Sequence, residues 1–273
     1  FVEGRVGTEH VEDLNRIFYE SIRDKRDSYV LFLDTEKAFD SIDHDFIVMV
    51  MKLVDFPDWC VKFLLGLLDN AVVFPITGER NKEAIGIHRG VKQGCPLSPL
   101  LFALGYDVLL VFLTEDGFAH IFAFADDLAL ESMGCYQLQR AMAIIDDFAK
   151  FSGLGVNQSK TVIIKSSAFT SADREFFSCT RWSKVVLAED HVYLGILFGR
   201  QVDTVRVYKA ALAKFSKRIA SHRQVILSRS VDHRIIIVNV FLTSIFSYLM
   251  QFFILPWKEV VKKVRDMIRK VVI

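Results

Sequence analysis

Aspartates follow two apolar segments of the chain. Asp34 comes directly after Tyr29–Leu33, and Asp126 and Asp127 follow the short run Phe124-Ala125. Carboxylates crowded at the ends of hydrophobic strands repel one another and are partly desolvated, so such a cluster is costly unless cations neutralise it. Mg²⁺ suits this role because it prefers oxygen ligands and shares its sites with substrate phosphates. Two such ions, about 3.5–4 Å apart, would stabilise both the attacking and the leaving oxygen of a phosphoryl displacement.

An Asp-Asp pair alone is weak evidence, because most such pairs lie in surface turns. The charge distribution adds to it. Residues 200–273 carry 15 Lys/Arg against 4 Asp/Glu, whereas the other 199 residues carry 19 against 29, and the net charge of the chain is only +1. An acidic body and a basic region are expected when one part binds metal and another binds phosphates. The alternative is that the basic helices merely present a solvated face.

The pattern of apolar residues predicts an α+β protein. Helical spacing predicts helices over residues 8–26, 46–53 and 59–68, from Ser98 as N-cap with Pro99 at the first helical position, and from Leu138 to a stop at Gly153. Strands are expected over residues 29–33, 119–125, 161–165 and 192–197, with a hairpin over 72–77 and 83–88. After Gly199 the pattern is wholly helical. This order favours a mostly antiparallel sheet backed by helices, followed by a helical appendage.

One segment has the length of a membrane span. Residues 235–255 include no charge, and 21 residues are enough to cross a bilayer as a helix. Four polar residues recur every four positions there and would form one stripe on a helix: Asn239, Thr243, Ser247 and Gln251. The stripe predicts a protein helix with a polar edge, and no membrane contact.

The four cysteines lie 35 or more residues apart, without zinc-type spacing or a disulfide framework. They predict a reducing, intracellular setting, which we interpret as nucleus and cytoplasm.

Five short segments resemble the conserved motifs of reverse transcriptases, in the order of that family. They are DTEKAFD (34–40, motif A), GVKQGCPLSP (90–99, motif B), FADD (124–127, motif C), GLGVN with Lys160-Thr161 (153–161, motif D) and YLG (193–195, primer grip). Motifs B and C look most like those of non-LTR (LINE-type) retrotransposons, and next most like those of group II introns.

The resemblance implies a right-hand polymerase fold. It places partial fingers at residues 1–28, a palm with an inserted fingers-palm segment at 29–199, and a helical thumb at 200–273. Most of the fingers would lie upstream of Phe1, so we interpret the chain as a fragment of a longer protein.

The resemblance also implies roles for residues of motif A and motif C. Asp34 and Asp126 would hold two Mg²⁺ ions with Asp127 beside them, and the carbonyl of Thr35 would add an uncharged ligand. Phe39, five residues after Asp34, stands where the family places an aromatic steric gate that leaves no room for a 2′-hydroxyl. The alternative is that Phe39 belongs to the core.

Other residues would contact the substrate. Gln93 and Gly94 would form part of the nucleotide pocket, where glycine permits close approach of the backbone. Lys160 would lie near the triphosphate and donate a proton to pyrophosphate, unless it is only a surface lysine. Arg5 would reach the incoming phosphates. Two further aspartates, Asp40 and Asp43, are expected to cap the next helix.

The function implied is RNA-directed DNA polymerase activity, with an RNA template, a DNA primer and dNTPs as partners. Two alternatives stay open. An RNA-dependent RNA polymerase would share the palm and the metals but would not need Phe39 as a gate. A decayed or domesticated fragment would bind nucleic acid without catalysis.

Overall fold

The computed structural model describes residues 7–69, 72–73 and 85–272, in two units that divide between Glu189 and Asp190. The first unit contains, in order, α1 (Gly7–Arg23), β1 (Tyr29–Leu33), α2 (Ala38–Ser41), α3 (His44–Leu53), α4 (Asp58–Asp69), β2 (Val72–Val73), β3 (Ile85–Gly86), α5 (Ser98–Glu115), β4 (Ile121–Phe124), β5 (Asp127–Ser132), α6 (Cys135–Ser152), β6 (Val162–Lys165), α7 (Ser171–Ser178) and β7 (Val186–Leu187).

The main sheet of the first unit has the strand order β4-β5-β1-β6-β7. All pairs are antiparallel except β6 with β7. β1 lies at the centre, between β5 and β6, and all five of its residues are buried. Helix α6 packs against β1 and β5, and α5 packs against α3 and α6. The predicted α+β class is therefore confirmed.

Local sequence explains several helix ends. Asp43 caps α3 by accepting a hydrogen bond from the Asp45 amide. Gly153 ends α6 in the left-handed conformation, with φ of 75°, as predicted. Ser98 was predicted to be an N-cap, and this is wrong: α5 begins at Ser98 itself, Leu97 holds the cap position, and no side chain caps the helix there.

Two predicted strands belong to hairpins that the sequence did not indicate. The strand expected over 119–125 is confirmed as β4, and an unpredicted strand, β5, follows it after a tight turn. The strand expected over 192–197 is two strands that pair antiparallel, β8 (Asp190–Tyr193) and β9 (Ile196–Gly199). Of the hairpin expected over 72–77 and 83–88, the described residues are β2 and β3, which pair antiparallel, and the rest lies outside the described residues.

The second unit begins with the β8–β9 hairpin and continues as helices. These are α8 (Thr204–Leu227), α9 (Val231–Ile237), a π-helical segment (Val238–Leu242), α10 (Ser244–Ser247), a 3₁₀ turn (Leu249–Gln251), a second π-helical segment (Trp257–Val261) and α11 (Lys262–Val272). The helix expected over 235–255 is thus broken into short segments. Its polar stripe is mostly exposed, and Thr243 bonds back to the Asn239 carbonyl, which competes with regular helical bonding.

One helix among the described residues has the length and apolar composition of a membrane span, and it is α5. It buries Leu101, Phe102, Tyr106, Leu109 and Leu113, among others, in the core of the first unit. The four cysteines are free thiols.

Candidate active site

The strand register brings the three aspartates to one end of the main sheet. Leu33 of β1 pairs with Leu128 of β5, so the next position on β1, Asp34, lies beside Asp127. Neighbouring residues in such a pair have Cα atoms about 4.5–5.5 Å apart. Phe124 pairs with Asp127, which leaves a two-residue turn of Ala125 and Asp126. The backbone of Ala125 is left-handed there, with φ of 55°.

The aspartates influence one another electrostatically. The pKa of Asp127 is raised above its usual value, first by partial burial and then by the negative charges of Asp126 and Asp34. The hydroxyl of Tyr106, beneath them in α5, also has a raised pKa, chiefly because it is buried, with Asp126 and Asp127 adding to the effect. The end of the sheet is therefore a place where negative charge accumulates.

This donor set fits divalent cations. Oxygen ligands and unrelieved negative charge are what Mg²⁺ requires, and in polymerase-type sites it keeps waters and substrate phosphates as further ligands. Among the residues that the structure describes, no three Asp, Glu, His or Cys side chains form a closed metal-binding group.

Motif D holds the segment that carries Asp34. The amide of Asp34 donates to Thr161 Oγ1 at 3.2 Å, and its carbonyl accepts from the Asn157 amide at 2.9 Å. Thr35 forms an isolated antiparallel bridge with Val156. Lys160 is exposed in the same turn, and its amide donates to the Asn157 carbonyl. The structure therefore places Lys160 in the turn that bonds to motif A, and its catalytic role stays a prediction.

Motif B holds the following residues of motif A. The Val91 amide donates to the Phe39 carbonyl at 2.6 Å, and the Gly90 amide donates to the Ile42 carbonyl at 2.7 Å. Gly90 has φ of 80°, and a Cβ there would lie 2.6 Å from backbone atoms of Asp40. Only glycine permits this approach, so Gly90 is what lets the two motifs join.

Phe39 is half-buried at the edge of the core and stacks on Phe102 of α5, with ring centroids 4.4 Å apart. This contact agrees with the core interpretation, and the gate interpretation stays a prediction.

Gln93 and Gly94 are exposed. Gly94 has φ of 85° and open space around the position of a Cβ. Gln93 Nε2 donates to Asp40 Oδ1 at 3.5 Å. Gln93 and Asp40 line a cleft of ≈ 690 Å³ together with Arg89 and Lys92. Asp40 was predicted to cap the next helix, and this is wrong, because it lies inside α2 and faces Gln93. Arg5 lies outside the described residues.

Several contacts at the site were not foreseen from the sequence. Gly90, Asn157 and Thr161 belong to motifs B and D, and they fix the backbone of motif A. Outside the motifs, His44 Nε2 donates to the Gly90 carbonyl at 2.7 Å, and Phe102 stacks on Phe39. These contacts join residues distant in sequence or involve the backbone, so residue type and spacing do not predict them.

In the second unit, the YLG segment forms the tip of the β8–β9 hairpin. Leu194 and Gly195 both have positive φ, 46° and 80°, which defines a tight hairpin turn. The hydroxyl of Tyr248 donates to the Leu194 carbonyl at 2.7 Å, and its ring lies 3.4 Å from where a Cβ of Gly195 would be. Tyr248 therefore holds this turn in its strained conformation.

Comparison with known proteins shows the family of the chain. The family model for "Reverse transcriptase (RNA-dependent DNA polymerase)" matches residues 6–196. The Pol polyprotein of the type-1 retrotransposable element R2 of Popillia japonica is 30% identical over 190 residues, covering 66% of this chain and 26% of that protein. That of the type-2 element R2DM of Drosophila melanogaster is 30% identical over 187 residues, covering 63% and 18%. The chain thus spans about a quarter of the Popillia japonica relative.

Solved structures support the fold. Apo telomerase from Candida tropicalis aligns with 97% of this chain and 50% of its own length, with a TM-score of 0.56 and 14% identity. At that identity only the right-hand polymerase fold is supported. The predicted fold is confirmed. The chain belongs to the reverse transcriptase family, as a domain of the non-LTR (LINE-type) retrotransposon kind.

Proposed function

We propose that the protein to which this chain belongs is an RNA-directed DNA polymerase. It would extend the 3′-hydroxyl of a DNA primer with dNTPs, along an RNA template. The observation that carries the proposal is the β1–β5 register, which sets Asp34 beside Asp127 at the end of the sheet, with Asp126 in the adjoining turn.

We propose that Asp34, Asp126 and Asp127 bind the metal ions, with the Thr35 carbonyl as a further ligand. Reverse transcriptases in general use divalent metal ions, and Mg²⁺ matches the all-oxygen donor set. When bound, two such ions would stabilise the charge on the attacking and leaving oxygens. The raised pKa of Asp127 agrees with this assignment, because partial burial and then the charges of Asp126 and Asp34 disfavour its ionised form, which a bound cation would favour.

The incoming nucleotide would lie between motifs A and B. Phe39 would lie under the sugar and exclude a 2′-hydroxyl, while the exposed, positive-φ backbone at Gly94 would approach the nucleotide beside Gln93. Lys160, next to the turn that holds Asp34, would donate a proton to the departing pyrophosphate. Arg5 remains a proposed phosphate ligand.

The template and primer would be held largely through their phosphates. The second unit supports this, since α8 and α11 carry most of the 15 Lys/Arg of residues 200–273. We assign the palm to residues 29–199 and the thumb to 200–273, and we place the protein in the nucleus and cytoplasm. Imaging of a tagged protein tests the location, and exclusion from both compartments would contradict it.

The test of the proposed function is primer extension by the protein that carries this chain. With Mg²⁺, an RNA template and a DNA primer, we expect template-directed incorporation of dNTPs in preference to rNTPs. Preferential use of rNTPs would favour an RNA polymerase. Binding of template–primer without incorporation would favour a noncatalytic nucleic-acid-binding protein.

A further inference from the structure

We propose that Phe102 is a specificity-determining residue, because it fixes how far the ring of Phe39 can recede from the sugar of the nucleotide. The inference rests on the proposed function, and specifically on Phe39 as the gate. Phe102 would not touch the substrate. It would act through Phe39, as a positioning residue.

The gate ring and two aromatic rings behind it form a continuous stack. The rings of Phe39 and Phe102 have centroids 4.4 Å apart and are 22° from parallel. Phe102 stacks in turn on Tyr106, at 5.4 Å and 20°. The far ring, Tyr106, meets the edge of Phe148 at 6.2 Å. The gate thus has solid side-chain packing directly behind it.

The two rings behind Phe39 are buried in the core of the first unit. Phe102 is 1% exposed and Tyr106 is 3% exposed, and buried rings at interior packing density resist displacement. The backbone of Phe39 is fixed as well, since its carbonyl accepts from the Val91 amide at 2.6 Å. A nucleotide sugar that pressed on Phe39 would therefore press on the whole stack.

A close helix approach sets the position of the stack. Gly105 of α5 faces Ile42, and a Cβ at Gly105 would lie 2.8 Å from the Ile42 side chain. The absence of a side chain at Gly105 lets α5 lie against the segment that follows Phe39. Phe102, three residues earlier on the same helix face, then reaches the ring of Phe39.

A smaller residue at position 102 would open space behind the gate. The ring of Phe39 would then yield to a 2′-hydroxyl, while a deoxynucleotide, which does not press on the ring, would bind as before. Removing the ring of Phe39 relieves a steric clash that slows rNTP incorporation by about one to two powers of ten. A smaller residue at position 102 should give part of that effect, a change of roughly threefold to tenfold.

The experiment measures kcat and KM for a dNTP and for the matching rNTP, in the protein that carries this chain. The variants are Phe102→Leu and, as a matched cavity control, Phe177→Leu. Phe177 is also buried, and its ring packs edge-on against Tyr29 and Phe176, which do not belong to the stack. For Phe102→Leu we expect the dNTP/rNTP ratio of kcat/KM to fall by roughly threefold to tenfold, mainly through a lower KM for the rNTP. For Phe177→Leu the ratio should not change.

Equal losses for both sugars in Phe102→Leu would overturn the inference, because Phe102 would then serve packing alone. A fall of the same size in Phe177→Leu would overturn it as well. If Phe102→Leu does not fold, Phe102→Met keeps most of the volume but loses the flat ring, and the same fall in the ratio is expected. A wild-type protein without any templated incorporation would instead refute the proposed function, and the inference with it.

Discussion

Asp34 and Asp127 lie side by side across an antiparallel strand pair, because their neighbours Leu33 and Leu128 are partners in the β1–β5 register. Each carboxylate is thereby exposed to the charge of the other, and Asp126 adds a third charge from the turn. The fold keeps these like charges together at the end of β1, which destabilises the folded state. Such electrostatic destabilisation is expected at a site that binds cations.

The first prediction concerns Asp127→Asn. A carboxyl group whose pKa is raised on folding destabilises the native state when it ionises. This destabilisation develops as pH rises from the pKa in the unfolded chain, about 3.9, through the higher pKa in the folded protein. At pH 7 the wild type bears this penalty in full, and the variant does not. In EDTA the variant should therefore melt at a higher temperature, by at most about 2–4 °C for a solvent-screened effect.

The control for this prediction is Asp147→Asn. Asp147 lies 2.6 Å from Lys150 and has a lowered pKa because of that hydrogen bond, so its replacement should not stabilise the protein. Mg²⁺ should raise the melting temperature of the wild type but hardly that of Asp127→Asn. If Asp127→Asn melts at a lower temperature than the wild type in EDTA, the Asp127 carboxylate does not destabilise the folded state, and the prediction is wrong.

The second prediction concerns the gate itself. Phe39→Val should lower the preference for dNTPs over rNTPs by about ten- to a hundredfold, because the ring no longer collides with the 2′-hydroxyl. Much of the deoxynucleotide activity should survive. Single-nucleotide incorporation with each sugar measures the change. If the wild type already accepts both sugars equally, Phe39 is a core residue and not a gate.

The third prediction concerns a buried ion pair far from the site. Lys165 Nζ lies 2.9 Å from Asp173, and the two side chains are 3% and 9% exposed. Burial would raise the pKa of Asp173, but hydrogen bonds from Tyr29, Thr170 and Lys165 outweigh it and hold the pKa far below its usual value. Lys165→Met would leave a buried carboxylate unpaired and should cost about 3–5 kcal/mol of stability.

The pH dependence of this pair has a definite sign. A depressed carboxyl pKa contributes stability above the unfolded value, about 3.9, and that contribution is lost as pH falls through the folded pKa. The difference between wild type and Lys165→Met should therefore shrink in acid. Urea unfolding at several pH values measures it, with Lys150→Met as an exposed control that should cost less than about 1 kcal/mol. Equal costs for the two variants would refute the prediction.

The fourth prediction concerns the hairpin turn of the second unit. Tyr248 and Tyr208 each donate a hydrogen bond of 2.7 Å to a backbone carbonyl, of Leu194 and Phe253 respectively. Tyr248→Phe and Tyr208→Phe should each cost about 1 kcal/mol of stability. Only Tyr248→Phe loosens the turn that resembles a primer grip, so only it should raise KM for the template–primer. A similar rise in both variants would show that general stability is responsible.

The sequence predicts correctly those strands whose run of apolar residues is not interrupted by polar ones. β1 was predicted with its observed limits because five apolar residues stand between polar ones. β5 was missed because its buried positions include Glu131 and Ser132. Glu131 accepts a hydrogen bond from Ser28 at 2.6 Å, and such a partner 103 residues away is not visible in a local pattern. The β8–β9 turn was missed because Leu194 is not a residue that favours positive φ.

The candidate site was predicted to the extent that motifs carry it. Asp34, Asp126 and Asp127 were recognised by their place after apolar runs, and the register brings them together. The support of Phe39 was not predicted, because Phe102 lies 63 positions away and is one of 24 phenylalanines. Spacing alone does not distinguish a ring behind the gate from any other core ring.

The most direct test of the central claim is primer extension on an RNA template by Asp34→Asn and Asp126→Asn, beside Asp43→Asn. Asp43 caps α3, and asparagine caps as well as aspartate, so this control removes a nearby carboxylate without touching the proposed metal site. We predict that the first two variants lose at least about a thousandfold in rate at saturating Mg²⁺, while Asp43→Asn keeps most of its activity. Extension at near wild-type rate by Asp34→Asn or Asp126→Asn would contradict the claim that these carboxylates hold the catalytic metals.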